Sequence, residues 1–186
     1  MNILEQIRKE HPWLEANRAF DLRRGKPSNL QLDTTQSILE KIETQFHMDG
    51  IDLRNYGEPQ GITSARALGA EILGTNVNET IALDNSSLTL MHQTLACAYF
   101  LGFKSSKIDT VSKILCPAPG YDRHFKLIEN FGIEMITIPF QDDGPDLNAI
   151  EAILKKEKNV HGIACVPRHS NPTGHTYSDE NVRSMF

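Results

Sequence analysis

Asn171-Pro172-Thr173-Gly174 is the stretch whose residue types and spacing point most directly to chemistry. It follows Val160-His161-Gly162-Ile163-Ala164-Cys165-Val166, a mostly apolar run closed by Pro167, which reads as a buried strand of a parallel sheet. The chain then leaves the strand's carboxyl end in a constrained turn, at the edge where open α/β sheets hold their ligands. There the Asn171 carboxamide can donate to a ligand oxygen. Pro172 limits the backbone of Asn171, and Gly174 allows a conformation that a Cβ would resist. Arg168 and His169 add polar groups whose direction the sequence leaves open. A second candidate is Asp84-Asn85-Ser86-Ser87, which joins a short strand to a helix. Serine is a preferred N-cap, and a helix start offers unpaired N–H donors and the positive end of the dipole, a ready phosphate site. Taken alone, serine at a helix start is usually only a cap. A third is Cys116-Pro117-Ala118-Pro119-Gly120-Tyr121, which places an aromatic ring just past another strand end. By itself Tyr121 would pass for a structural tyrosine.

The elements that must position these residues alternate. Strands are expected at Thr80–Leu83, Lys113–Cys116, Glu134–Ile138 and Val160–Val166, with helices at Ser87–Leu101, Asp122–Phe131 and Leu147–Leu154 between them. Strands separated by helices of this length mean βαβ crossovers and a mostly parallel sheet, so the fold class is α/β. Ahead of them, residues 1–20 read as an amphipathic helix or arm, Asp21–Ser28 as a turn, and Leu32–Met48 as one helix with apolar positions at Ile38, Leu39, Ile42 and Phe46.

Composition narrows the function. With 186 residues and 39% hydrophobic content the chain can bury one sizeable core. Nineteen basic against 24 acidic residues give a net charge of -5, which argues against nucleic acid or an anionic membrane as partner. Cys97, Cys116 and Cys165 lie in apolar runs without metal-ligand spacing and read as small core residues of a reducing compartment. Residues 1–11 lack the apolar core of a secretory signal, and the longest apolar run, Leu95–Phe103, is too short to span a bilayer. A cytoplasmic protein is expected.

Asn-Pro-Thr-Gly after a buried strand resembles the hallmark of the class I/II aminotransferases, pyridoxal-phosphate enzymes of fold type I. The spacing Tyr56-x4-Gly61-x4-Arg66, the Arg-Gly-Lys-Pro segment around Gly25, and the Phe131-Gly132-Ile133 turn extend the likeness over roughly residues 20–186. It is nearest to the aspartate aminotransferase-like subgroup. The resemblance implies a three-layer fold: an arm and small-domain segment over residues 1–50, then the first part of a large cofactor domain over 51–186. It implies pyridoxal 5'-phosphate as cofactor, with Ser86 and Ser87 at the phosphate and Tyr121 stacked on the pyridine ring. Asn171 would reach the phenolic oxygen, and Tyr56 would reach the phosphate of a neighbouring subunit in a homodimer. Gly25 and Asn171 would contact the substrate, an amino acid such as aspartate or its 2-oxo acid partner. His124, one turn further on, has counterparts in the family, which implies a supporting role; a plain helix histidine is the other reading.

The family's Schiff-base lysine, the carboxylate that partners the ring nitrogen and the arginine that grips the substrate carboxylate all lie downstream of Asn-Pro-Thr-Gly. Lys26 sits in the substrate arm, while Lys104, Lys107, Lys113, Lys126, Lys155, Lys156 and Lys158 read as solvated charge or strand starts. No catalytic residue is therefore assigned, and these 186 residues alone are expected to be inactive, the N-terminal half of an aminotransferase with a truncated sheet. A related β-lyase or decarboxylase would share these motifs, as would a non-catalytic binding module.

Overall fold

A computed structural model of the chain describes Lys9 and residues 27–41, 46–103 and 107–185. Two compact units divide at Gly57/Glu58. Most of the expected N-terminal helix, and the turn at residues 21–26, lie outside the described residues.

In the first unit, α1 (Asn29–Leu39) starts at a capping box. Ser28 Oγ accepts from Gln31 N at 3.3 Å and Gln31 Oε1 accepts from Ser28 N at 2.8 Å, so two backbone donors that the helix itself cannot satisfy are met. The expected single helix over Leu32–Met48 does not form. Instead β1 (His47–Met48) pairs antiparallel with β2 (Ile51–Asp52). Asp49 and Gly50 sit between them at φ 54° and 79°, the left-handed pair that a two-residue hairpin turn requires. That local signal overrides the apolar spacing.

The second unit opens with α2 (Thr63–Leu73), which ends at Gly74 in the left-handed conformation, with Thr75 N bonded back to Ala70 O at 3.0 Å. A 3-10 turn at Val77–Glu79 follows. Arg66 holds it through Nη2 to Val77 O (2.8 Å) and Nε to Thr80 O (3.1 Å). The expected strand at Thr80–Leu83 is extended chain outside the sheet: Ala82 N bonds Gln60 O at 2.9 Å, and Ile81 stays 62% exposed. The β propensity of these residues has no neighbouring strand edge to act on.

The sheet has the order β5-β4-β3-β6. Its strands are β3 (Lys113–Ala118), β4 (Glu134–Gln141), β5 (Gly144–Pro145) and β6 (Val160–Ile163). β3 pairs parallel with both β4 and β6, and only the short β5 is antiparallel, so the sheet is mostly parallel. Ile114, Leu115 and Cys116 are buried in succession, as a strand covered on both faces must be. The crossovers carry α3 (Ser87–Phe100), α4 (Asp122–Asn130) and α5 (Leu147–Lys156), and α6 (Asp179–Met185) follows β6. The core gathers Ile114, Cys116, Ile128 and Ile133, with Leu95, Phe125 and Met135 packed on it. Of the three cysteines expected in the core, Cys116 is buried and Cys165 half-buried, but Cys97 is exposed on α3. Among the described residues no helix is long and apolar enough to cross a membrane.

Candidate functional site

A parallel sheet sends its strand-to-helix turns off the same edge, and this geometry brings Tyr121 and the segment that carries Asn171 to the carboxyl ends of the neighbouring strands β3 and β6. Tyr121 is the N-cap of α4, three residues beyond the end of β3. The segment from Ala164 to Ser178 leaves the carboxyl end of β6, with Ala164 N still bonded to Leu115 O at 2.9 Å. The direction of α3 places the serines. Ala98 O, near the helix's C-terminus, accepts from Ile108 N at 3.1 Å, five residues ahead of β3. That end of α3 therefore lies toward the amino edge of the sheet. A 14-residue helix rises about 21 Å, close to the roughly 20 Å span of a six-residue strand, so its N-terminus comes to the carboxyl edge. Leu90 and Met91, in its first turns, line a hollow together with Ile163 and Ala164 at the end of β6, which agrees with that placement.

Ser86 caps α3: its Oγ accepts from Thr89 N at 3.4 Å. Asp84, itself at φ 54°, folds its carboxylate back so that Oδ1 accepts from Asn85 N (2.6 Å) and Ser86 N (3.0 Å). The N–H groups of Ser87 and Leu88 are the first two of the helix and have no intrahelical acceptor. With the Ser87 hydroxyl, exposed at the surface, they form a donor set of the kind a phosphate takes.

Tyr121 is half-buried, and His124 meets its ring edge-on at 5.0 Å between centroids and 89° between planes. Burial holds the His124 imidazole below its ordinary value, which favours the neutral ring. Tyr121 and His124 line a small hollow with Cys165, Ser170 and Tyr177. Burial pushes the Tyr177 phenol up to about 12, with the Cys165 thiol adding to the rise.

Asn171 does not line that cavity; it is exposed at the tip of the turn that Ser170 begins. The turn is closed by an antiparallel bridge between Ser170 and His175, by Ser170 N to His175 O at 2.8 Å, and by Gly174 N to Ser170 O at 2.5 Å. Gly174 takes φ 71°, as its freedom at this position suggested, and His169 takes φ 51°. Ser170 (4% exposed) and Tyr177 (6%) anchor the loop while its tip stays in solvent. Sequence reasoning missed Ser170, His175 and Tyr177. The alternation His175-Thr176-Tyr177 straight after a glycine was the available signal for a short strand-like return.

Tyr56 belongs to the first unit, where its ring is 95% exposed and its N donates to Asn55 Oδ1 at 2.8 Å. Gly25 lies outside the described residues. Lys113 is engaged by Glu157 at 2.8 Å and Glu134 at 3.3 Å, Lys126 by Glu129 and Lys155 by Glu151, each at 2.7 Å. A hollow of about 720 Å³ lies between β6 and the α5–α6 side and contains none of the sequence-predicted residues. Its lining is mostly apolar, with Leu115, Ile150, Leu154, Ile163 and Met185 beside Glu151 and Ser184. Among the described residues no group of three His, Cys, Asp or Glu side chains is placed to hold a metal.

The family model described as aspartate amino-transferase matches residues 2–186. The chain belongs to that family. Aspartate aminotransferase of Corynebacterium glutamicum is 41% identical over 189 residues, covering 97% of this chain and 43% of its own length. A Mycolicibacterium smegmatis protein named as an aminotransferase is 42% identical over 174 residues, covering 89% of this chain and 41% of its own. The solved aspartate transaminase from Corynebacterium glutamicum superposes with a TM-score of 0.81 at 39% identity, covering 97% of this chain and 44% of that one. The chain thus spans less than half the length of the relatives it matches. A more distant neighbour in fold, the α-aminoadipate aminotransferase LysN of Thermus thermophilus (TM-score 0.60, 23% identity, covering 83% of this chain and 35% of that one), was solved with N-(5'-phosphopyridoxyl)-L-leucine.

Proposed function

We propose that this chain is the cofactor-gripping part of a pyridoxal-phosphate-dependent aminotransferase, one that moves an amino group between an amino acid such as aspartate and a 2-oxo acid. What supports the reading is that a helix start with free donors (Ser86, Ser87), an aromatic ring just past β3 (Tyr121) and an exposed carboxamide on a tightly closed turn after β6 (Asn171) all belong to segments directed toward the carboxyl edge of one sheet. Pyridoxal phosphate needs a phosphate cradle, a stacking face and a donor to its phenolic oxygen, and these residues offer one of each. When bound, the cofactor supplies an electron sink that stabilises negative charge at the substrate α-carbon.

In this reading the Ser87 and Leu88 N–H groups and the serine hydroxyls hold the phosphate dianion, aided by the α3 dipole. Asp84, by occupying Asn85 N and Ser86 N, fixes the loop so that these donors are set before the anion arrives. Tyr121 lays an aromatic face against the pyridine ring, and the neutral His124 on its edge holds that face in place. Asn171 donates from its Nδ2 and orients the ring within its plane. Tyr56, fully in solvent in one copy, reaches the phosphate of a second copy in a homodimer. Gly25 lets the backbone approach the substrate carboxylate. No lysine of this chain is assigned to bond the cofactor, so we expect no turnover from these 186 residues alone.

The test is titration with pyridoxal phosphate, followed by the cofactor's visible absorbance and by calorimetry, on the wild type and on Ser86→Ala, Tyr121→Ala and Asn171→Ala. Each substitution is expected to weaken binding by about tenfold, the factor equivalent to one good hydrogen bond or ring contact. Unchanged affinity in all three would remove the basis for the site.

A further inference from the structure

The turn that carries Asn171 is held by a residue that no part of the reading above uses. Its closing bridge ends at His175, and the His175 ring lies between two aromatic neighbours: Phe140 at 5.2 Å and 49°, and Tyr177 at 6.3 Å and 55°. Phe140 and Tyr177 in turn meet each other at 5.7 Å and 61°, so the three rings form a closed cluster. Phe140 belongs to the carboxyl end of β4, whereas the turn starts from β6, and β3 runs between those two strands. The loop therefore crosses the carboxyl edge of β3, the strand whose end delivers Tyr121, and His175 fastens its far side. Beyond the ring, Tyr177 N donates to Pro167 O at 2.8 Å and Ser178 N to Asp143 O at 2.7 Å, tying the return of the loop to both its own start and the β4–β5 turn.

The tip itself has little else to hold it. Asn171, Pro172, Thr173 and Gly174 are all exposed, and their fastening comes from Gly174 N on Ser170 O, His175 N on Thr173 Oγ1 at 3.3 Å and His169 N on Thr176 Oγ1 at 3.2 Å. These bonds hold only while both ends of the bridge stay put. At one end Ser170 is buried and lines the same hollow as Tyr121; at the other the anchor is the His175 ring. Its Nε2 is buried with no hydrogen-bond partner, so the ring is held by its faces and edges and not by a polar bond at that nitrogen. An imidazole used in this way acts as a wedge.

We propose that His175 is a positioning residue for Asn171: its ring, clamped by Phe140 and Tyr177, locks the Asn171–Gly174 tip across the end of β3. The proposal rests on the reading of Asn171 as a cofactor contact for its functional meaning, and on geometry alone for the clamp. His175 touches neither cofactor nor substrate in it.

The clamp is read by amide hydrogen exchange on the 186-residue chain without cofactor, and its consequence by pyridoxal phosphate titration. In His175→Ala, loss of two ring contacts is expected to cut the protection of the Ser170 and Gly174 amides about tenfold or more. The Ile138 amide in the core should keep its protection, which separates local loosening from failure to fold. Cofactor affinity should drop several-fold with it. His175→Phe keeps the ring and removes the unpartnered nitrogen, and it should restore both protection and affinity to within about twofold of wild type. The proposal is overturned if His175→Ala leaves the Ser170 and Gly174 amides as protected as before, or if His175→Phe behaves like His175→Ala. Asn171→Ala separates the two levels: it should weaken cofactor binding while leaving Ser170 and Gly174 protected. If it binds cofactor normally, the role given to Asn171 fails while the clamp stands or falls on exchange alone.

Discussion

Gly120 immediately precedes the proposed stacking residue, and the space around it predicts what a single methyl group would do. A Cβ built there would stand 2.5 Å from Phe125 Cζ, 3.2 Å from Phe125 Cε2 and 2.9 Å from Pro117 O. Ordinary contact begins near 3.4 Å, so the methyl or its neighbours must move by 0.9 Å at the ring (3.4 − 2.5) and 0.5 Å at the carbonyl (3.4 − 2.9). Phe125 packs on the core and Pro117 is a buried strand residue, so neither yields freely. Overpacking of this kind costs about 1–3 kcal/mol. For a unit of this size it lowers the melting temperature by roughly 4–12 °C. Gly162 in β6 is the matched control, since a Cβ there meets nothing within 4 Å. Replacing a strand glycine with alanine at such an open position gains about 0.5–1 kcal/mol. Thermal unfolding followed by circular dichroism should therefore place Gly120→Ala below the wild type and Gly162→Ala at or above it. In Phe125→Leu the Cζ obstacle is gone and the carbonyl remains, so Gly120→Ala should cost less in that background than in the wild type. Pyridoxal phosphate affinity should fall with Gly120→Ala, because the strain is released through the Tyr121 turn. The reasoning is refuted if Gly120→Ala melts with the wild type, or above Gly162→Ala.

Two further predictions concern the parts that support the site. Burial holds the His124 imidazole below its ordinary 6.5, so the folded chain binds that proton less readily than the unfolded one. The stability that the neutral ring contributes is then present above about pH 6.5 and is lost as pH falls below it. His124→Gln should flatten the dependence of urea unfolding on pH between about 7 and 5, and an unchanged slope would contradict the assignment. Arg66 fastens the turn ahead of the serine loop through two carbonyl bonds from a half-buried position. Arg66→Ala should cost about 1.5–3 kcal/mol in urea unfolding, and Arg66→Lys, able to fill only one of the two positions, about half as much; a loss below about 0.5 kcal/mol for Arg66→Ala would mean that the turn holds without it.

The residues that the sequence revealed best are those whose neighbours in the chain are also their neighbours in space. Ser86 caps α3 because a serine ahead of an apolar helical run satisfies donors two or three residues on, and Tyr121 follows a strand end because Gly120 and Pro119 interrupt it. The same locality explains the failures. Thr80–Leu83 has β-forming residues, but a strand needs an edge to pair with, and which edges are free is a property of the whole sheet. The hairpin around Asp49-Gly50 was legible from those two residues and was hidden by apolar residues at helical spacing before it. The strand-like return that carries His175 had a signal in the sequence, but the enclosure of its ring did not. Its partners are Phe140, 35 positions back, and Tyr177, and nothing in a lone histidine after a glycine says that its ring will be enclosed.

Within the proposed site, a division of labour follows from where the groups stand. The proposed phosphate donors are backbone N–H groups of a helix start, rigid because the helix behind them packs on the core through Leu95. The ring-facing group, Tyr121, stands on a turn that is half-buried and braced by His124. Asn171 alone stands on an exposed tip, and it is also the group asked for the most exacting contact, a directed hydrogen bond to one oxygen. An exposed loop meets that demand only if its ends are pinned on both sides of the ligand. Ser170, buried in the hollow that it lines with Tyr121 beyond the end of β3, and His175, against Phe140 at the end of β4, pin its two ends. In the proposed site the order of the strands, more than any single motif, is what would bring three ordinary loop residues together.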